Sequence, residues 1–87
     1  MQFDWDVANT EHIARHDVLP SEAVEVFYSG PQVSGPQFVK GEERTRIIGR
    51  TAKGRVLEVV FTIRNDQVRV VTAFQANEAA RRRYERS

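Results

Sequence analysis

The chain contains no cysteine, one methionine, one tryptophan and three prolines in 87 residues. Without cysteine there is no disulfide, no thiolate nucleophile and no cysteine-ligated zinc. No run of about 18 apolar residues is present, which excludes a membrane-spanning helix. The opening Met1-Gln2-Phe3-Asp4-Trp5-Asp6 has neither the basic region nor the apolar stretch of a secretory signal, so the expected compartment is the cytoplasm. No glycine-rich loop follows a strand to open a helix, so a nucleotide-cradling motif is missing. Nor does any serine or threonine sit in a nucleophile elbow or triad spacing, which removes classical hydrolase chemistry. His12 and His16 have the i, i+4 spacing that can share a metal on a helix, but no third ligand accompanies them.

What the chain does have is arginine, unevenly placed. Hydrophobic residues at 40% and charged residues at 29% suit a folded soluble protein, and the length suits a single domain, residues 1–87, with one modest core. From Met1 to Phe38 only Arg15 is basic, against six acids; from Val39 to Ser87 twelve basic residues face six acids. A net charge of +1 is therefore −5 followed by +6. Such asymmetry suggests contact with nucleic acid or with an acidic partner, without choosing between them.

Residue spacing predicts an α+β domain: two amino-terminal helices, a three- to four-stranded antiparallel sheet and one carboxy-terminal helix. Phe3-Asp4-Trp5 reads as a short strand, after which Asp6 caps a helix over 7–16. Pro20 near a helix start and the spacing of Ala23, Val24, Phe27 and Tyr28 predict a second helix over 21–28. The stretch 31–40, with two prolines and one glycine, reads as an irregular or edge strand, followed by a turn at Gly41-Glu42-Glu43. Alternation of period two then predicts strands over 44–51, 55–64 and 67–74, joined by Ala52-Lys53-Gly54 and by Asn65-Asp66. Asn77 is a good cap for a last helix reaching about Arg86.

On those strands Arg44, Arg46 and Arg50 share a face, and Arg55 and Arg69 lie on neighbouring strands. Guanidinium groups fork onto phosphates and stay charged at all working pH values, and phosphate contact supplies most sequence-independent nucleic-acid affinity. Lys53 in the turn and Arg81 and Arg82 on the last helix extend the candidate RNA surface to Arg44, Arg46, Arg50, Lys53, Arg81 and Arg82. The plainer account is that the strand arginines are solvated and paired with Glu42, Glu43 and Glu58, and that the helix arginines complement a helix C-terminus. Trp5 and Tyr84 suit packing better than chemistry.

Trp5-Asp6, Glu11-His12-Ile13-Ala14-Arg15-His16-Asp17-Val18, Glu22-Ala23 and Val26-Phe27 resemble the amino-terminal half of BrnT-like toxins. Arg44 with Ile48-Gly49-Arg50-Thr51, then Gly54-Arg55-Val56-Leu57, Val59-Val60-Phe61, Val68 to Ala73 and finally Tyr84 extend the resemblance over nearly the whole chain. It implies a RelE-like fold and the toxin of a bacterial type II toxin–antitoxin pair, cleaving RNA without a metal or other cofactor and so blocking translation. It also implies an antitoxin partner, typically a ribbon-helix-helix DNA-binding protein. At matching positions Arg44, Arg55 and Arg69 would bind phosphate or stabilise charge, with Arg55 and Arg69 in the catalytic set and His16 and Tyr84 as acid–base groups. The chain departs from the family in three places. Phe74 stands where an arginine is usual, Ala80 where a glutamate is common in the last helix, and Asp17 where a glycine follows the histidine. The alternative is therefore a degenerate toxin-fold module that binds an antitoxin-like partner or RNA without cleavage.

Overall fold

The computed structural model describes residues 1–86. Its elements are α1 (Val7–Ala14), α2 (Pro20–Phe27), β1 (Gln32–Val39), β2 (Glu42–Arg50), β3 (Val56–Arg64), β4 (Gln67–Gln75) and α3 (Glu78–Arg86). The four strands form an antiparallel meander in the order β1-β2-β3-β4, so the α+β architecture is as the sequence predicts, with the larger of the two strand counts. Both helix starts follow from local chemistry. The Asp6 carboxylate accepts from the Asn9 amide while the Asn9 side chain accepts from the Asp6 amide, a reciprocal cap that satisfies two otherwise orphaned donors. At α3 the Asn77 side chain accepts from the Ala80 amide at 2.8 Å.

Several details differ from expectation. The turn before β2 is Lys40-Gly41, not Gly41-Glu42-Glu43: both residues have positive φ, 51° and 80°, and pairing resumes at once with Val39 opposite Glu42. This is a two-residue hairpin turn whose twist matches the flanking strands. Asn65-Asp66, at 54° and 61°, makes the same kind of turn, as expected. In β4 the strict alternation fails at Val71, because the register shifts between Val60 and Phe61 and leaves Val70 and Ala73 both fully buried in one cluster. A bulge of this kind puts two residues of one strand against one of its partner. Finally, the first helix ends at Ala14 and not at His16, and the short amino-terminal strand is a single parallel bridge, Phe3 to Val68.

The helices α1 and α2 cover one face of the sheet. Ile13, Val18, Ala23 and Val26 pack there on Ile47, Leu57, Val59, Val70 and Ala73. Phe3, Phe27 and Phe61 continue this core as edge-to-face pairs with centroids 5.1 and 5.0 Å apart. Helix α3 docks on the opposite face, at one end only, where Ala80 and Tyr84 meet Ile48, Val56 and Ala76. The remainder of that face is left uncovered by helix, and it is the face that carries Arg44 and Arg46.

Candidate functional site

Helix α3 and the uncovered sheet face enclose a cavity of about 360 Å³ lined by Arg46, Ile48, Glu58, Ala80, Arg83 and Tyr84, with Gln32, Val33 and Ser34 of β1 at its rim. Ile48 pairs with Glu58 across β2 and β3, and Arg46 pairs with Val60 one step along. Arg46 and Glu58 are thus diagonal neighbours on one face, a separation that long side chains span. Arg46 Nη2 donates to Glu58 Oε1 at 2.8 Å, with the carboxylate side chain 8% exposed. Burying a charge is costly unless it is paired and hydrogen-bonded, and Arg46 is the partner here. From the helix side, residues 80 and 84 lie one turn apart and anchor α3, which carries Arg83 into the cavity wall. Gln32 donates to the Tyr84 carbonyl at 3.2 Å and ties β1 to the same helix. The cavity therefore holds an acceptor-only carboxylate, two guanidinium groups and a phenol.

The residues expected to be catalytic are not assembled in one place. Arg55 precedes β3 on the helix-covered side, where its Nη1 donates to Glu22 at 2.8 Å and to the Asp17 carbonyl at 3.0 Å. Arg69, opposite Thr62, reaches the amino-terminal segment and is gripped by Asp4 at 3.3 Å and Asp6 at 3.0 Å. The hydrogen bond that Arg69 donates to Asp6 raises the Arg69 pKa. Six residues of β3 separate the levels of Val56 and Thr62, roughly 20 Å along an extended strand, so these two arginines serve opposite ends of the sheet. His16 rests against Phe74 with centroids 6.1 Å apart, beside His12 at 5.5 Å, and His12 in turn meets the Thr72 hydroxyl at 3.1 Å. Only Tyr84 of the four lines the cavity.

Of the candidate RNA contacts, Arg46 is in the cavity and Arg44 is one alternation further along the same face, bonded to Glu42 at 2.9 Å. Arg50 lies across the Tyr84 ring, its guanidinium carbon 5.7 Å from the centroid. Lys53 is exposed in the turn. Arg81 lines a separate cleft with Arg50 and Arg55, and Arg82 pairs with Glu78 along the helix. Two cavity residues, Glu58 and Arg83, were absent from the expected set. Glu58 carried a usable signal, a lone carboxylate in the most apolar strand of the chain; Arg83 carried none, since three consecutive arginines cannot announce which faces the sheet. Two of the three family departures lie at the Glu58 cavity: Phe74 is the cross-strand partner of Glu58 on β4 and Ala80 lines the same cavity.

Among the described residues no group of three or more histidine, aspartate or glutamate side chains is arranged to hold a metal ion, and no helix is long and apolar enough to cross a membrane. In comparison with known families, residues 5–79 match the ribonuclease toxin, BrnT, of type II toxin-antitoxin systems. None of the curated proteins compared matches the chain.

Proposed function

The chain belongs to the family of ribonuclease toxins, BrnT, of type II toxin–antitoxin systems, and we propose that it cleaves RNA in the cavity between α3 and the sheet. Membership brings with it an antitoxin partner; a ribbon-helix-helix DNA-binding protein, translation arrest as the outcome and a cytoplasmic setting complete the reading. The observation that carries it is Glu58, a nearly buried carboxylate held at 2.8 Å by Arg46 in a cavity that Arg83 and Tyr84 also line.

Cleavage by internal attack needs three services. Glu58 takes the 2′-hydroxyl proton as the bond from that oxygen to phosphorus forms. Arg46 and Arg83 receive the charge that builds on the non-bridging phosphate oxygens, a role guanidinium performs without a metal. Tyr84 protonates the 5′-oxygen as its bond to phosphorus breaks, leaving a 2′,3′-cyclic phosphate and a free 5′-hydroxyl. Arg55, Arg69 and His16 lie outside this cavity, so they enter this reading as outlying phosphate contacts.

The test is cleavage of RNA by the purified protein in EDTA. Glu58→Gln keeps the hydrogen bond to Arg46 and removes the base, and it should slow cleavage by about 10²–10⁴-fold, the usual worth of a positioned acid or base. Cleavage by this variant at the unmodified rate would refute the assignment. A second reading, a binding module without turnover, is favoured by Phe74 standing directly across from Glu58; a stable antitoxin complex together with no cleavage of any RNA would establish it.

A further inference from the structure

Beside the Glu58 cavity, on the other flank of Tyr84, lies an open cleft of about 590 Å³ between the end of α2 and the turn linking β2 to β3. We propose that this cleft takes an unpaired nucleobase of the RNA, stacked on Tyr28; the inference rests on the RNA reading above. Tyr28 is the residue that ends α2, and its side chain is not folded away: the residue is 66% exposed. Its ring lines the cleft together with Tyr84, Arg50 and Glu25. Arg50 is held beside it: its guanidinium carbon lies 5.7 Å from the Tyr84 ring centroid while its two terminal nitrogens contact Gly54 and Glu85.

The chemistry of the wall selects the occupant. Aromatic and guanidinium planes are the surfaces on which single-stranded bases stack. The Glu25 carboxylate is an acceptor-only group. It takes the Ala52 amide at 3.1 Å on Oε1 and retains capacity for an imino or amino donor on the edge of a base. A purely apolar occupant would leave that remaining acceptor capacity unused. Position adds a further argument: Tyr84 lines this cleft and the Glu58 cavity alike, so a strand whose phosphate sits between Arg46 and Arg83 delivers an adjacent base to Tyr28.

The measurement is binding of a 2′-O-methyl RNA oligonucleotide, which cannot be cleaved, to the full chain. Tyr28→Ala should weaken binding by about 5- to 100-fold, the range of one lost stacking contact, while Tyr28→Phe stays within about twofold because the ring remains. Unchanged affinity in Tyr28→Ala overturns the proposal, as does a Tyr28→Ala variant that binds RNA normally and has lost its antitoxin, which would give the cleft to the protein partner. An unmodified protein that binds this RNA through Tyr28 but never cleaves RNA sinks the catalytic reading alone; one that binds no RNA sinks both.

Discussion

Asp17 has φ of 62°, in the left-handed region where a β-carbon is penalised and glycine is not. The geometry is imposed by the end of α1, where the Val18 amide bonds to Ile13 and the Asp17 amide to Ala14. These are the paired bonds of a Schellman turn, and Val18 and Ile13 also meet in the core. The departure from the family's glycine therefore leaves the turn intact and adds backbone strain. Asp17→Gly should raise unfolding free energy by about 0.5–1 kcal/mol in urea titration. Asn9 works in the opposite sense. It is buried, and its amide donates to the carbonyls of Asp4 at 2.9 Å and Val70 at 3.1 Å. Asn9→Ala orphans those groups along with the Asp6 amide and should cost about 1–3 kcal/mol by the same measurement. The sequence displays Asp6 as a cap but not Asn9 as the link between α1 and β4, because that link depends on which carbonyls the β4 edge leaves unpaired.

At the level of elements, Gly49 sets how closely α2 can approach the sheet. A β-carbon placed there would lie 2.6 Å from Ser29 Oγ, 3.0 Å from Val26 Cγ1 and 3.2 Å from Pro31 Cβ. Ser29 cannot easily yield, because its hydroxyl donates to the Val26 carbonyl at 2.7 Å and accepts from the Arg50 amide at 3.3 Å. Gly49→Ala should therefore destabilise by about 1–3 kcal/mol, as overpacking does, seen as a lowered Tm. Strands β2, β3 and β4 were legible because alternation is a local property: Leu57, Val59 and Phe61 against Glu58, Val60 and Thr62 read directly, whereas 31–40 read only as an irregular or edge strand. The faces of β2 and β3 were equally legible, and with them the shared face of Arg44 and Arg46, but the bulge in β4 breaks its alternation and was not. What local pattern cannot supply is the placement of α3. Ala80 and Tyr84 mark an apolar edge on that helix, yet nothing in its spacing says that the edge meets Ile48 and Val56. For that reason the cavity, and Glu58 within it, became visible only in three dimensions, while Arg55 proved to serve the helix-covered side through Glu22 and Asp17.

Over the whole molecule the acidic first part of the chain folds back onto the basic remainder. Asp4 and Asp6 hold Arg69, and Glu22 holds Arg55. Three carboxylates have lowered pKa values as a result of such contacts: Asp6 through the Arg69 hydrogen bond, Glu22 through the Leu19 amide and then Arg55, and Glu42 through Arg44. A carboxylate whose folded pKa lies below its unfolded value adds stability that is complete above the unfolded value and lost as pH falls through the folded one. Tm should accordingly stay level from neutral pH down to the ordinary glutamate value of 4.5 and then decline, with Glu22→Gln flattening part of that decline. If the site uses Arg46 and Arg83 on phosphate with Arg50 beside the base, about two phosphates are neutralised. The logarithm of RNA affinity should then fall with the logarithm of salt concentration at a slope of about −1.4, given about −0.7 per phosphate for single strands. A slope near −8 would instead mean that nearly all of the twelve basic residues after Phe38 contact phosphate; a slope of zero would mean that none of them does.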